Sequence, residues 1–103
     1  MKQYIGFDIG GTRVKGGIVA EDGTMSVFDS IATDTKNIVK DLADFAKVLM
    51  NKAGLSQEQI TGIGMGIPGM IDSENGVVTF AGNLDWKNFP IAYDLNEKTG
   101  LVV

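Results

Sequence analysis

The run Tyr4-Ile5-Gly6-Phe7-Asp8-Ile9-Gly10-Gly11-Thr12-Arg13-Val14-Lys15-Gly16 constrains this chain more than any other stretch. An apolar segment ends on a single carboxylate, Asp8. Two glycines and a hydroxyl follow, and a second apolar segment starts at Val14. The pattern predicts strand, tight turn, strand, with Asp8 at the strand end and Gly10, Gly11 and Thr12 at the tip. Adjacent glycines let the backbone take positive φ and approach a ligand closely, because no Cβ intervenes. Successive N–H groups in such a turn can converge into a concave site for an anion. Thr12 adds a hydroxyl donor and Lys15 a nearby cation. Asp8 repels a phosphate unless a divalent cation lies between them, or unless it orders a water in that cation's shell. A plain β-turn accounts for the same residue types. The glycines lead into a strand, and neither GxxxxGK[ST] nor a GxGxxG opening a helix is present, so phosphate binding at a helix terminus does not apply.

Composition narrows the alternatives. The 103 residues suffice for one domain with a core but fall below the usual size of a two-lobed enzyme. A net charge of −4, with no cluster of Lys and Arg, argues against a nucleic-acid partner. No apolar run is long enough to span a membrane and no signal-peptide pattern is present, so a cytoplasmic location is expected. The chain has no cysteine and no histidine, which removes disulfides, thiolate zinc sites and imidazole bases. Any proton acceptor within it must be a carboxylate.

Taken in order, residues 3–9, 14–20 and 25–31 predict an antiparallel three-stranded meander, with Asp22-Gly23 as a hairpin turn. Asp34 or Thr35 is expected to cap a helix that runs to about Ala53 and stops at Gly54. Its apolar stripe is Ile38, Leu42, Ala46, Leu49 and Ala53, joined by Val39, Ala43 and Met50. Ser56-Gln57-Glu58-Gln59 reads as a capping box over one short turn. Residues 60–67 read as a strand with Ile63, Met65 and Ile67 on one face and Gly62, Gly64 and Gly66 on the other. A glycine face admits a close neighbour, and a helix pressed against it is the simplest occupant. Pro68-Gly69 breaks that strand, Asn75-Gly76 marks a second hairpin, and residues 76–80 form a short strand. Residues 81–86 read as a polar loop holding the only Trp, Trp86, which is expected to anchor in the core. Pro90 suits the first turn of a helix ending at Gly100. Leu101-Val102-Val103 reads as the start of another buried strand, which suggests a piece of something longer.

Asp8-Ile9-Gly10-Gly11-Thr12 with Lys15-Gly16 resembles the first phosphate motif of the ROK family (repressors, open reading frames and sugar kinases), within the hexokinase and actin superfamily. Gly66-Ile67-Pro68-Gly69-Met70-Ile71-Asp72, followed by Gly82-Asn83-Leu84-x-Trp86, is similar to that family's sugar-site pattern. The resemblance implies an α/β fold: the N-terminal domain of a ribonuclease-H-like, actin/hexokinase-type ATPase, with a mixed β-sheet of five or so strands and flanking helices. It implies that residues 1–103 are one lobe, ending before an Asn-Asp motif whose aspartate is the family's catalytic base. No catalytic residue is then expected in this chain; the base is expected just after Val103. Asp8, Gly10, Gly11, Thr12 and Lys15 would bind the ATP phosphates, with Asp8 serving Mg²⁺ indirectly, while Gly69 and Asn83 would contact the sugar. ATP and Mg²⁺ are the implied cofactors, a hexose or N-acetylhexosamine the substrate, and a homodimer the assembly of the full-length protein. The alternative is a ROK sugar-responsive transcriptional regulator, whose DNA-binding helices would precede the first strand; Met1 leaves no room for them if it is the true start. A third reading, an actin-like nucleotide-binding module, is weakened by Asn83-Leu84-x-Trp86.

Overall fold

The computed structural model describes residues 1–103 except Pro68 and Asp85, and describes Asn83 by its backbone alone. Alternating apolar residues make β1 (Gln3–Ile9) and β2 (Arg13–Ala20), which pair antiparallel with Ile9 opposite Val14. β3 (Met25–Ala32) pairs antiparallel with β2, completing the expected meander. β4 (Ile60–Gly66) joins the other edge of β1 in parallel, so the sheet order is β3-β2-β1-β4. A parallel neighbour requires a crossover, and α1 (Ile38–Ala53) supplies it.

One face of the sheet is dry. Ile5, Phe7 and Ile9 of β1 and Val14 and Ile18 of β2 pack against Ile38, Leu42, Phe45, Ala46 and Leu49 of α1. Gly54 ends α1 in the left-handed conformation at φ 69°. Its N–H bonds the Asn51 carbonyl, and the Leu55 N–H returns to the Met50 carbonyl, a Schellman closure. On β3, Asp29 pairs with Lys52 of the last helical turn. That ammonium holds the Asp29 carboxyl below the usual carboxylate range.

α1 begins at Ile38, later than the predicted Asp34 or Thr35. The Asp34 carboxylate is used locally, accepting the Lys36 N–H at 3.1 Å and the Asn37 amide at 2.9 Å. It therefore closes a turn before the helix, while Asn37 occupies the cap position without a side-chain capping bond to the helix. The Ser56–Gln59 capping box is present over a single 3₁₀ turn.

The helix does press on a glycine, but not on β4. A Cβ at Gly16 in β2 would lie 2.7 Å from the Phe45 ring and 3.0 Å from Phe7. Those two rings stack at 5.7 Å directly over the missing side chain. By contrast, Gly64 meets no atom within 4 Å of an added Cβ, so the glycine face of β4 is open there. Gly62 is limited by the Val102 carbonyl at 3.1 Å instead. Gly16→Ala is therefore expected to lower stability by about 1–3 kcal/mol through overpacking. A urea titration of the variant checks this; an unchanged midpoint contradicts the packing account. Gly64→Ala, which meets open space, is the control.

The sheet has four strands rather than about five. Leu101–Val103 is not a strand: Leu101 is buried and the Val102 carbonyl accepts the Ile63 N–H at 2.8 Å, a single rung at the β4 edge. A second, antiparallel sheet is made by β5 (Met70–Asp72), β6 (Val77–Ala81) and β7 (Trp86–Phe89). β7 starts at Trp86, the last residue of the expected loop 81–86, and continues through residues 87–89, for which the sequence predicts no element; pairing with β6 supplies the order. Asn83 likewise sits in a 3₁₀ turn (Gly82–Leu84), not an irregular loop. Pro90 stands at the cap of α2 (Ile91–Thr99), which ends at Gly100 with φ 74°. The predicted break at Pro68 lies outside the described residues.

Candidate functional site

β1 and β4 run parallel and finish together, with Asp8 opposite Gly66. The turn 10–12 leaves the end of β1, and the segment leading to Gly69 leaves the end of β4. In open α/β sheets the crevice beyond the carboxyl ends of parallel strands is where ligands bind. Asp8 is exposed there and makes no hydrogen bond or ion pair among the described residues. A Cβ at Gly66 would sit 3.7 Å from Asp8 Oδ1, so even the smallest side chain there would touch the carboxylate.

The tip is a tight hairpin turn in which the Gly10 N–H bonds the Arg13 carbonyl at 3.0 Å. Gly11 does not take the positive φ anticipated for the glycine pair, and neither does Gly10. The need at Gly10 is space, since an added Cβ would lie 3.0 Å from the Arg13 carbonyl. Among the described residues, neither the Gly11 nor the Thr12 N–H donates a hydrogen bond, and both residues are exposed. Two consecutive unengaged donors on a solvent-facing turn are what an anion needs.

Lys15 lies across the ladder from Asp8, on the sheet face away from α1. It forms no ion pair with Asp8 among the described residues, so both charges are available to a ligand. Asp8 and Lys15 share the margin of a cavity of about 340 Å³ floored by Gly6, Gly17 and Gly64 and walled by Phe28. Gly10, Gly11 and Thr12 do not line it; they stand beyond its edge. Arg13 adds a second cation, held by Ser30 Oγ at 3.1 and 3.0 Å. Among the described residues no group of three or more His, Cys, Asp or Glu is placed to hold a metal. A lone, accessible carboxylate suits Mg²⁺, which keeps several waters and is shared with substrate phosphates.

Gly69 is a backbone feature. It has φ 132°, and a Cβ there would lie 2.4 Å from the Phe80 carbonyl, so only glycine fits where the chain enters β5 against β6. The Asn83 side chain, predicted to face the sugar, lies outside the described residues. Trp86 is the expected core anchor: it is buried, its ring meets Phe89 at 4.9 Å, and its indole N–H donates to the Thr35 carbonyl at 3.2 Å. Asp72 accepts the side-chain amide and backbone N–H of Asn75, which holds its carboxyl below the ordinary range and closes the β5–β6 turn.

Thr33 was not singled out in the sequence. It follows β3 and bonds both ends of the glycine turn, its hydroxyl to the Gly10 carbonyl at 2.8 Å and its N–H to the Thr12 carbonyl at 2.9 Å. Extending the β2–β3 register by one residue from Arg13–Ala32 pairs Thr12 with Thr33, so hairpin register was the available signal.

Residues 4–103 match the family model described as ROK family. The chain belongs to the ROK family. Glucokinase from Thermotoga maritima is 35% identical over 105 residues, covering 95% of this chain and 31% of that protein. A xylose repressor from Caldicellulosiruptor bescii is 36% identical over 73 residues, covering 71% of the chain and 18% of the repressor. Among solved structures, a ROK family glucokinase from Streptomyces griseus, in complex with glucose and AMPPNP, superposes with a TM-score of 0.87 at 29% identity, covering 98% of this chain and 31% of that one. The architecture is thus that of the N-terminal lobe of ROK sugar kinases, mixed sheet and flanking helices included. This ROK chain spans about a third of the length of the curated glucokinase it matches.

Proposed function

We propose that this chain is the ATP-phosphate and sugar-binding lobe of a longer ATP-dependent sugar kinase, acting on a hexose or N-acetylhexosamine. The observation that carries the reading is the Asp8 carboxylate, exposed and, among the described residues, unpartnered at the end of β1, beside a turn with two N–H groups that none of those residues engages. Gly10, Gly11 and Thr12 hold the phosphates, and Lys15 adds positive charge beside them. Asp8 serves the Mg²⁺ shell. Mg²⁺ supplies charge neutralisation of the phosphates, and the chain's own contribution is to position them, which is most of what phosphoryl transfer requires. Gly69 forms a backbone wall of the sugar pocket and Asn83 hydrogen-bonds sugar hydroxyls, since an amide both donates and accepts. The catalytic base and the second lobe belong to sequence after Val103, and closure of the lobes expels water from the cleft. The full-length protein is a homodimer in the cytoplasm. Among the described residues no helix is long and apolar enough to cross a membrane.

The second reading, a sugar-responsive regulator, is favoured by the match to the xylose repressor. It shares the sugar site but requires no ATP turnover, so a coupled assay for sugar-dependent ADP formation by the full-length protein separates the two.

The sugar site is tested by Asn83→Ala in the full-length protein. Losing one neutral hydrogen bond costs about 0.5–1.5 kcal/mol, more if a partner is stranded. KM for the sugar is expected to rise roughly tenfold, at about 1.4 kcal/mol per decade, with KM for ATP unchanged. A lower melting temperature with unchanged sugar KM makes Asn83 a turn residue and removes it from the site.

A further inference from the structure

Two observations about the candidate phosphate turn point away from the turn itself. Its carbonyls at Gly10 and Thr12 are both engaged by one residue, Thr33, through two different groups. Its N–H groups at Gly11 and Thr12 are engaged by none among the described residues. The peptide bonds here are trans. In a trans peptide unit the C=O and the following N–H point in opposite directions. Drawing the Gly10 carbonyl toward Thr33 therefore aims the Gly11 N–H away from Thr33, out of the turn.

The residue doing the drawing is itself held. Thr33 opens the segment between β3 and α1, and its side chain is half-buried. Two residues on, the Thr35 carbonyl accepts the Trp86 indole N–H, and Asp34 fixes Lys36 and Asn37. Trp86 is buried in the core, directly after the turn that carries Asn83. The segment 33–35 is thus a strap, bonded at one end to the glycine turn and at the other to the strand that follows the proposed sugar loop. A glycine pair without such a strap samples many conformations, and ordering it on binding would cost conformational free energy.

We propose that Thr33 is a positioning residue that locks the Gly10–Thr12 turn with the Gly11 N–H facing the nucleotide phosphates. The proposal rests on the phosphate reading of that turn. Thr33 touches no ligand; it acts through the Gly10 and Thr12 carbonyls. Its hydroxyl is the part that side-chain replacement can remove, since the backbone N–H persists in any variant.

The test compares Thr33→Val and Thr33→Ser in the full-length protein, with Gly11→Val alongside. Valine keeps the branched shape and loses the donor; serine keeps the donor. Thr33→Val is expected to weaken AMPPNP binding, measured by calorimetry, about fivefold, the scale of one lost neutral hydrogen bond. If the protein turns over, KM for ATP rises by the same factor while KM for the sugar stays within about twofold. Thr33→Ser restores parental values. Unchanged AMPPNP affinity in Thr33→Val overturns the proposal, as does an equal loss of both ligands with a lowered melting temperature that serine fails to rescue. The underlying reading has its own failure. If the parent does not bind AMPPNP, or Gly11→Val binds it normally, the turn is not a phosphate site and both fall. If Gly11→Val loses AMPPNP while Thr33→Val does not, only the role of Thr33 falls.

Discussion

Gly11→Val in the full-length protein is expected to bring sugar-dependent ATP turnover down to assay background while leaving the melting temperature close to that of the parent. Gly11 is exposed at the tip of the β1–β2 turn, where a side chain meets solvent rather than core. The fold has little to lose there. A phosphate, however, must come within hydrogen-bond distance of the Gly11 and Thr12 N–H groups, and a branched side chain fills that space. Removing a single preorganised donor of this type typically costs about 10²–10³ in rate, and valine obstructs more than one. Steady-state kinetics with ATP as the varied substrate, beside a melting curve, decide the matter. Near-normal kcat/KM for ATP in a folded variant would reject the turn as the phosphate site.

The second large effect concerns the chain by itself. Residues 1–103, produced alone, are expected to form no ADP above trace levels in the presence of a sugar. Asp8, on the strand that leads into the turn, is committed in this reading to the metal shell, and the base that takes the proton from the attacking hydroxyl is placed in sequence after Val103. General base catalysis alone is worth about 10²–10⁴ in rate. A lobe without its partner also leaves the phosphate turn open to bulk water, where hydrogen bonds and charges act far more weakly than in a closed site. The same preparation should give a cooperative urea transition, because the core between α1 and the four-stranded sheet is contained within it. Sugar-dependent ADP formation at a substantial fraction of the full-length rate would show that the base lies inside residues 1–103.

The glycine-rich sheet surface shows why residue type and residue role separate. Gly6, Gly17 and Gly64 lie in one row across three strands on the face away from α1, and Gly16 lies one residue from that row on the opposite face. In the sequence Gly16 and Gly17 are indistinguishable neighbours. In the fold Gly16 is the seat of the Phe45 ring, whereas a Cβ at Gly17 would meet the Val27 carbonyl at 2.6 Å. Phe45 itself fell outside the predicted stripe, although it is buried with Leu42 and Leu49.

What could be read from the sequence alone was set by interactions within a few residues. The meander came from period-two alternation, the hairpins from Asp22-Gly23 and Asn75-Gly76, and the helix stop from Gly54, whose left-handed φ is a local demand. The Asp8–Thr12 turn belongs to the same class, because strand, carboxylate, glycines and hydroxyl are adjacent in the chain. The tertiary structure decided what depends on distant partners. It made Trp86–Phe89 a strand because β6 was there to pair with it. It placed Thr33 against Gly10 and Thr12, 23 residues from the first of these, where no spacing rule along one element reaches. A hydrogen bond or ring contact between remote segments is fixed by how the layers pack, and only the folded chain specifies that.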